Sequence, residues 1–389
     1  MTPGEAATPC RRSAMRRRTL LATAAAAVMA PRTGHAEAFG RDPARYVFVA
    51  ARQQAEISVI DGRTDILIGH IPLPGIPTQF VALGKGARLV VADAAAKQVR
   101  ILDVTTVRIE RSVAIPFVPR ILQANRTGTM VAVLDPELGE AALLQVAGGP
   151  PMPISGVKAA RYAVFQPPNA AFDREEHLLV AHGTRVAIVD VRGERNGELT
   201  ADPDSGSITH LATDPGGEHA FVVQGERGVL SVFGLRDRTR AAVLRLPAPL
   251  GRVVPSADSQ FALVPVGGDM VSIISNWTLQ ESGRIKVAGE ARSVGLTLFQ
   301  SVAAIAEMPG RRLLLYDLRD RRAIADLQLP GTPEFGATSP DGGRYYVALS
   351  DTGQIAVVNL TEHPTVRLID GVGLGAWAVV PAVGDAYCH

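Results

Sequence analysis

Residues 46–61 read YVFVAARQQAEISVID: two β-branched apolar runs, 46–50 and 58–61, joined by a polar turn. Such runs fit pleated strands buried between packed layers. The second run, SVID, has seven successors: RILD (100–103), ALLQ (142–145), AIVD (187–190), SVFG (231–234), SIIS (272–275), LLYD (314–317) and AVVN (356–359). Their ends stand 41 to 45 residues apart. The first run recurs in phase as RLVVAD (88–93), MVAVLD (130–135), HLLVAH (177–182), AFVVQG (220–225), FALVPV (261–266), VAAIAE (302–307) and YYVALS (345–350). A period of about 42 residues is that of a four-stranded propeller blade.

Turn chemistry completes each period. Asp214-Pro215-Gly216-Gly217 and Pro340-Asp341-Gly342-Gly343 precede second-strand runs, where tight turns are needed. Each period therefore predicts four strands, A to D from the axis outward. The first period begins at its B strand with Tyr46 and lacks an A strand. A surplus A-like segment, Ala376-Trp377-Ala378-Val379-Val380-Pro381, follows the eighth period. It fits the vacant place and closes the ring without an exposed edge. The expectation is an all-β chain, one propeller of eight four-stranded blades over 39–389. Seven blades is the alternative, if the period 153–202, with its proline-rich turn at 166–173, is irregular. No 3.6-residue apolar period supports an α-solenoid, and no linker interrupts the repeat.

Residues 1–38 read as a leader. A basic stretch ends at Arg18, a mildly apolar stretch of about twelve residues follows, and Ala36-Glu37-Ala38 offers a small-x-small cleavage site. The apolar stretch is too short to span a bilayer of roughly 30 Å. Arg17-Arg18-Thr19-Leu20-Leu21 resembles the twin-arginine motif, with an ordinary secretory signal as the alternative. The expected location is the periplasm. The formal net charge is +2, but the leader holds six arginines and two glutamates, so the remainder is slightly acidic. That excludes the concentrated basic face of a nucleic-acid binder. Of two cysteines, Cys10 lies in the leader, which leaves Cys388 and no internal disulfide.

The segments SPDGGRYYVALSDTGQIAVVNL (339–360) and YVFVAARQQAEISVID (46–61) resemble the YVTN-type family of bacterial exported propellers. The resemblance covers nearly all of 45–389. It implies architecture rather than activity, because the shared residues are structural. Relatives of that architecture include the heavy chain of quinone-dependent amine dehydrogenases, the tetrapyrrole-binding propeller of periplasmic nitrite reductase, and lactonase-like propellers. Eight blades match the nitrite reductase propeller better than the amine dehydrogenase one. No family catalytic residue aligns here, and neither Trp-Asp pairs nor a tryptophan-docking motif is visible.

In phase, the first A-strand residues are Gln79, Arg120, Arg161, His210, Arg252, Arg292, Glu334 and Trp377. They are expected to ring one channel mouth, formed by the D–A and B–C loops. Four arginines and a histidine there suit a carboxylate or phosphate, or an acidic protein loop. The plainer alternative is that each arginine pairs with a neighbouring blade's Asp or caps a loop carbonyl. His182 should share this face with His210, a weak metal pair that loop acids Asp93, Asp135 or Asp269 would have to complete. His177, His219 and His363 should lie opposite. Cys388-His389 reads as a tail or a minor metal candidate. No Gly-x-Ser-x-Gly, His-Glu-x-x-His, Cys-x-x-Cys-His or phosphate loop occurs. The expected function is a binding or scaffold propeller, accessory to a redox or cofactor system, docking an anionic small molecule or a periplasmic protein. The alternative is an oxidoreductase-type enzyme or subunit with a quinone or tetrapyrrole cofactor. The sequence names no cofactor.

Overall fold

The computed structural model describes residues 39, 42–84, 86–297, 302–339, 341–361 and 363–382. The leader and Cys388-His389 lie outside the described residues. Eight four-stranded antiparallel sheets form the eight blades of a propeller, so the seven-blade alternative falls away. The period that seemed irregular is a complete blade, with strands Ala160–Gln166, His177–His182, Arg185–Val189 and Arg195–Thr200. Its proline-rich segment is a long A–B connection. The irregularity lies instead in two very short strands, Met152–Pro153 at the outside of blade 3 and Val254–Pro255 at the inside of blade 6. Proline cannot donate to a ladder, which limits both.

The innermost strands of blades 1 to 8 are Ala376–Pro381, Gln79–Leu83, Ile121–Ala124, Ala160–Gln166, His210–Thr213, Val254–Pro255, Glu290–Leu296 and Pro333–Thr338. Blade 1 closes as its missing strand required. Ala376–Pro381 pairs antiparallel with Tyr46–Ala51, with Val49 opposite Val379 and Phe48 opposite Val380.

The B strands carry the core. Tyr46–Ala51 and Met130–Asp135 are buried at every position, because each blade is covered on both faces by its neighbours. Leu179, Ile188, Leu211 and Val222 join blades 4 and 5; Val47, Ile60, Tyr346 and Val357 join blades 8 and 1. Each such aliphatic side chain contributes about 1.5–3 kcal/mol by leaving water. Outer strands are largely exposed, as in Arg108–Ala114, where only Val113 is buried. Gly217 shows why the A–B turns need glycine. Its φ is +66°, and a Cβ there would lie 2.5 Å from the Pro167 carbonyl oxygen.

Candidate functional site: the channel mouth

The eight aligned residues sit at one end of the innermost strands. Gln79 and His210 begin theirs, while Arg161, Glu334 and Trp377 are second in theirs. Arg292 is third, Arg120 immediately precedes Ile121, and Arg252 stands two residues before Val254. Contacts between blades then link most of them.

His210 and Tyr162 stack obliquely, with ring centroids 4.6 Å apart. Gln123 of blade 3 donates to the Tyr162 hydroxyl at 3.4 Å. The Val253 amide of blade 6 donates to His210 Nδ1 at 3.3 Å. His210 is 5% exposed, and burial, reinforced by the Arg252 charge, pushes its pKa down to about 3. The ring is therefore neutral, Nδ1 is the acceptor, and the proton sits on Nε2. Nε2 is buried without a hydrogen-bond partner among the described residues. Burial also raises the Tyr162 pKa, against the opposing charge of Arg252.

The other half of the mouth is charged and aromatic. The guanidiniums of Arg252 and Arg292 lie over the Phe335 ring at 5.2 and 5.9 Å from its centroid. Arg292 also reaches the Glu334 carboxylate at 3.5 Å, and Arg52, from the B–C turn of blade 1, reaches it at 3.9 Å. Arg52 lies over Trp377 at 5.9 Å, and Trp377 meets Phe80 edge-to-face at 6.5 Å. Gln79, at the head of its strand, is half-buried.

Two of the arginines are engaged locally, Arg120 by carboxylates of its own blade and Arg161 by a loop carbonyl of blade 3. Arg120 pairs with Asp135 at 3.3 Å and Glu137 at 2.5 Å, and Arg161 donates to the Pro136 carbonyl at 3.1 Å. Arg252 has no carboxylate partner among the described residues. Five guanidiniums, of Arg52, Arg120, Arg161, Arg252 and Arg292, thus face three carboxylates, of Asp135, Glu137 and Glu334. The surplus is positive, and part of it is unneutralised in front of an aromatic surface.

His182 and His210 do not act together. His182 faces Glu198 on its own blade's outer strand at 3.7 Å, and burial lowers its pKa against that carboxylate's pull. The loop acids are engaged locally: Asp93 with buried Arg100, Asp135 with Arg120, Asp269 with Lys286. At the opposite end, His177 pairs with Asp173 at 2.9 Å, His219 faces Asp214, and His363 is exposed between outer strands. Sequence reasoning missed Arg52, Gln123, Tyr162 and Phe335. A signal existed for two of them: Tyr162 and Phe335 directly follow the aligned positions Arg161 and Glu334, as Phe80 follows Gln79.

No family model matches the chain, and no curated protein matches it in sequence. The YVTN likeness therefore rests on the quoted residues. Solved structures do match. Dihydro-heme d1 dehydrogenase NirN, in complex with DHE, superposes with a TM-score of 0.72 at 14% identity, covering 88% of this chain and 76% of that one. Apo AztD from Citrobacter koseri gives 0.66 at 13% identity, covering 86% and 97%. Kuenenia stuttgartiensis hydrazine synthase gives 0.54 at 13%, covering 75% and 95%. At such identities the likeness shows the fold alone.

Proposed function

We propose that this chain is an exported periplasmic binding propeller, accessory to a redox or cofactor system, whose channel mouth holds a carboxylate-bearing small molecule. The carrying observation is Arg252. Its guanidinium is free of any described carboxylate and lies over Phe335, with Arg292 on the same ring. An aromatic face holds a guanidinium in place without cancelling its charge, so the group stays available for a bidentate carboxylate. Phe335, half-buried, and Trp377 offer flat apolar surface beside the charges, which favours a planar ligand over a compact ion. A tetrapyrrole with acidic side chains meets both requirements, and the likeness to NirN, a protein solved with DHE, supports that choice of class. The leader supports the location.

A second reading has its own observation. Neutral His210 keeps an unmatched Nε2–H beside Tyr162, a hydrogen-bond donor that a substrate oxygen can accept from. On that reading the chain is an oxidoreductase-type enzyme or subunit acting on the same anionic molecule.

The test is native mass spectrometry with a UV–visible spectrum, on mature protein isolated from its host's periplasm. A few hundred daltons of extra mass with absorbance above 300 nm supports a bound cofactor-like ligand, and turnover of that ligand moves the reading to the enzyme. A bare polypeptide that also fails to take up haemin in titration overturns the small-molecule proposal. Replacing Arg17 and Arg18 with lysine should stop export; unchanged export would remove the twin-arginine assignment.

A further inference from the structure

The end of the propeller opposite the mouth carries a second cluster, in the A–B turn of blade 5. Asp214 caps this turn. Its Oδ1 accepts from the amides of Glu218 at 2.8 Å and His219 at 2.9 Å. The residue is 1% exposed. Its second oxygen, Oδ2, faces His219 Nδ1 at 3.8 Å, too far for a hydrogen bond. His219 Nδ1 is itself buried with no hydrogen-bond partner among the described residues. The Glu218 carboxylate completes the set, and the three ligand atoms lie within 4.8 Å of one another.

The repeat supplies its own controls. Blades 3, 6 and 8 cap the same turn with neutral side chains. Asn125 accepts from the amides of Thr129 and Met130, Ser256 from those of Gln260 and Phe261, and Ser339 from that of Arg344. Capping therefore does not require a carboxylate. In those turns the fifth residue after the cap is Met130, Phe261 or Arg344; in blade 5 it is His219. Blade 5 departs from blades 3, 6 and 8 at both positions at once, and both changes add a metal ligand; blade 4 also carries an acid and a histidine in its A–B connection, but there Asp173 and His177 are closed on each other at 2.9 Å.

The turn is also held from both sides. Asn169 of blade 4 donates to the Gly216 carbonyl at 2.8 Å, and the Gly216 amide donates to Ser259 Oγ of blade 6 at 3.3 Å.

We propose that Asp214 Oδ2, Glu218 and His219 Nδ1 form a binding site for a divalent transition-metal ion of the zinc type. One imidazole and two carboxylates suit that borderline ion. Ligand atoms on a tetrahedral zinc lie about 3.3 Å apart, given zinc–ligand bonds of roughly 2.0–2.2 Å. Asp214 and His219, at 3.8 Å, need to close by only about half an ångström to reach that separation. Exposed Glu218 can swing to close the third side, and water takes the fourth position.

The test is isothermal titration of zinc chloride into tag-free, EDTA-treated mature protein carrying Cys388→Ser, which removes the competing thiol. One saturable site of micromolar affinity is expected, with a rise in Tm on zinc addition. Asp214→Asn keeps the cap, as Asn125 does, and His219→Phe copies Phe261, so both variants should fold. Each is expected to weaken zinc binding at least tenfold, and surface-exposed Glu218→Gln several-fold. No saturable binding at 100 µM zinc overturns the proposal. So does unchanged affinity in Glu218→Gln together with whichever of the other two variants folds.

Discussion

Arg252 belongs to blade 6 and Phe335 to blade 8, yet the guanidinium carbon lies 5.2 Å from the ring centroid. The contact passes over blade 7, whose Arg292 reaches the same ring. Replacing Arg252 and Arg161 together by alanine removes the two mouth arginines without a described carboxylate partner. Affinity for an anionic ligand such as haemin should fall at least tenfold, since a hydrogen bond to a charged group is worth about 1.5–3 kcal/mol. Unchanged affinity in the double variant would remove the mouth from consideration.

Gly295 and Gly336, on the innermost strands of blades 7 and 8, leave room for one ring. A Cβ at Gly295 would lie 2.5 Å from Tyr345 Cε2, and one at Gly336 2.7 Å from Tyr345 Cε1. Gly295→Ala should cost about 1–3 kcal/mol through overpacking, measured by urea unfolding. Tyr345→Leu should recover part of that loss. Wild-type stability in Gly295→Ala would mean that the ring has somewhere else to go.

A chain ending at Gly375 lacks the strand that pairs with Tyr46–Ala51. That leaves a fully apolar edge, the kind that pairs with other chains. Size-exclusion chromatography should find oligomers or aggregate. A monomer with an unchanged melting curve would show that seven complete blades suffice.

His210 titrates in the folded state at about 3, against 6.5 unperturbed, chiefly because it is buried and secondarily because Arg252 is near. Below about pH 6.5 the unfolded chain binds a proton that the folded one refuses, so stability falls as pH drops from 6.5 toward 3. His210→Gln should flatten part of that fall in denaturant melts from pH 7 to 4. The His210 ring resonances should stay constant from pH 8 to 4.5; a titration near 6.5 would contradict the buried, neutral ring.

The blade count was readable because it rests on local patterns: short continuous apolar runs, turn glycines, and a spacing of about 42. The same spacing hides the site. Partners one blade apart are about one period apart in sequence, as with Arg292 and Glu334 or His210 and Val253, and many pairs share that separation. Arg252 and Phe335 skip a blade, and Arg52 meets Glu334 only because the ring joins its own ends. Register placed the arginines at one level, but their neutralisation depends on side-chain reach. His182 and His210 illustrate this: both lie at the mouth end of their strands, yet one turns to its own blade's outer strand and the other is buried between the neighbouring blades. The Asp214–His219 pair was in plain view within a turn motif, where Asp reads as ordinary capping.

The pairing of Ala376–Pro381 with Tyr46–Ala51 also sets an order of events during synthesis. The second strand position of blade 1 leaves the ribosome before its inner partner, which emerges more than 300 residues later. Blades 2 to 8 can assemble as they are made, while the first blade stays unfinished until Ala376–Pro381 has followed them. Before that strand is in place the inner side of Tyr46–Ala51 is an open apolar edge, and its arrival turns an open array into a closed ring.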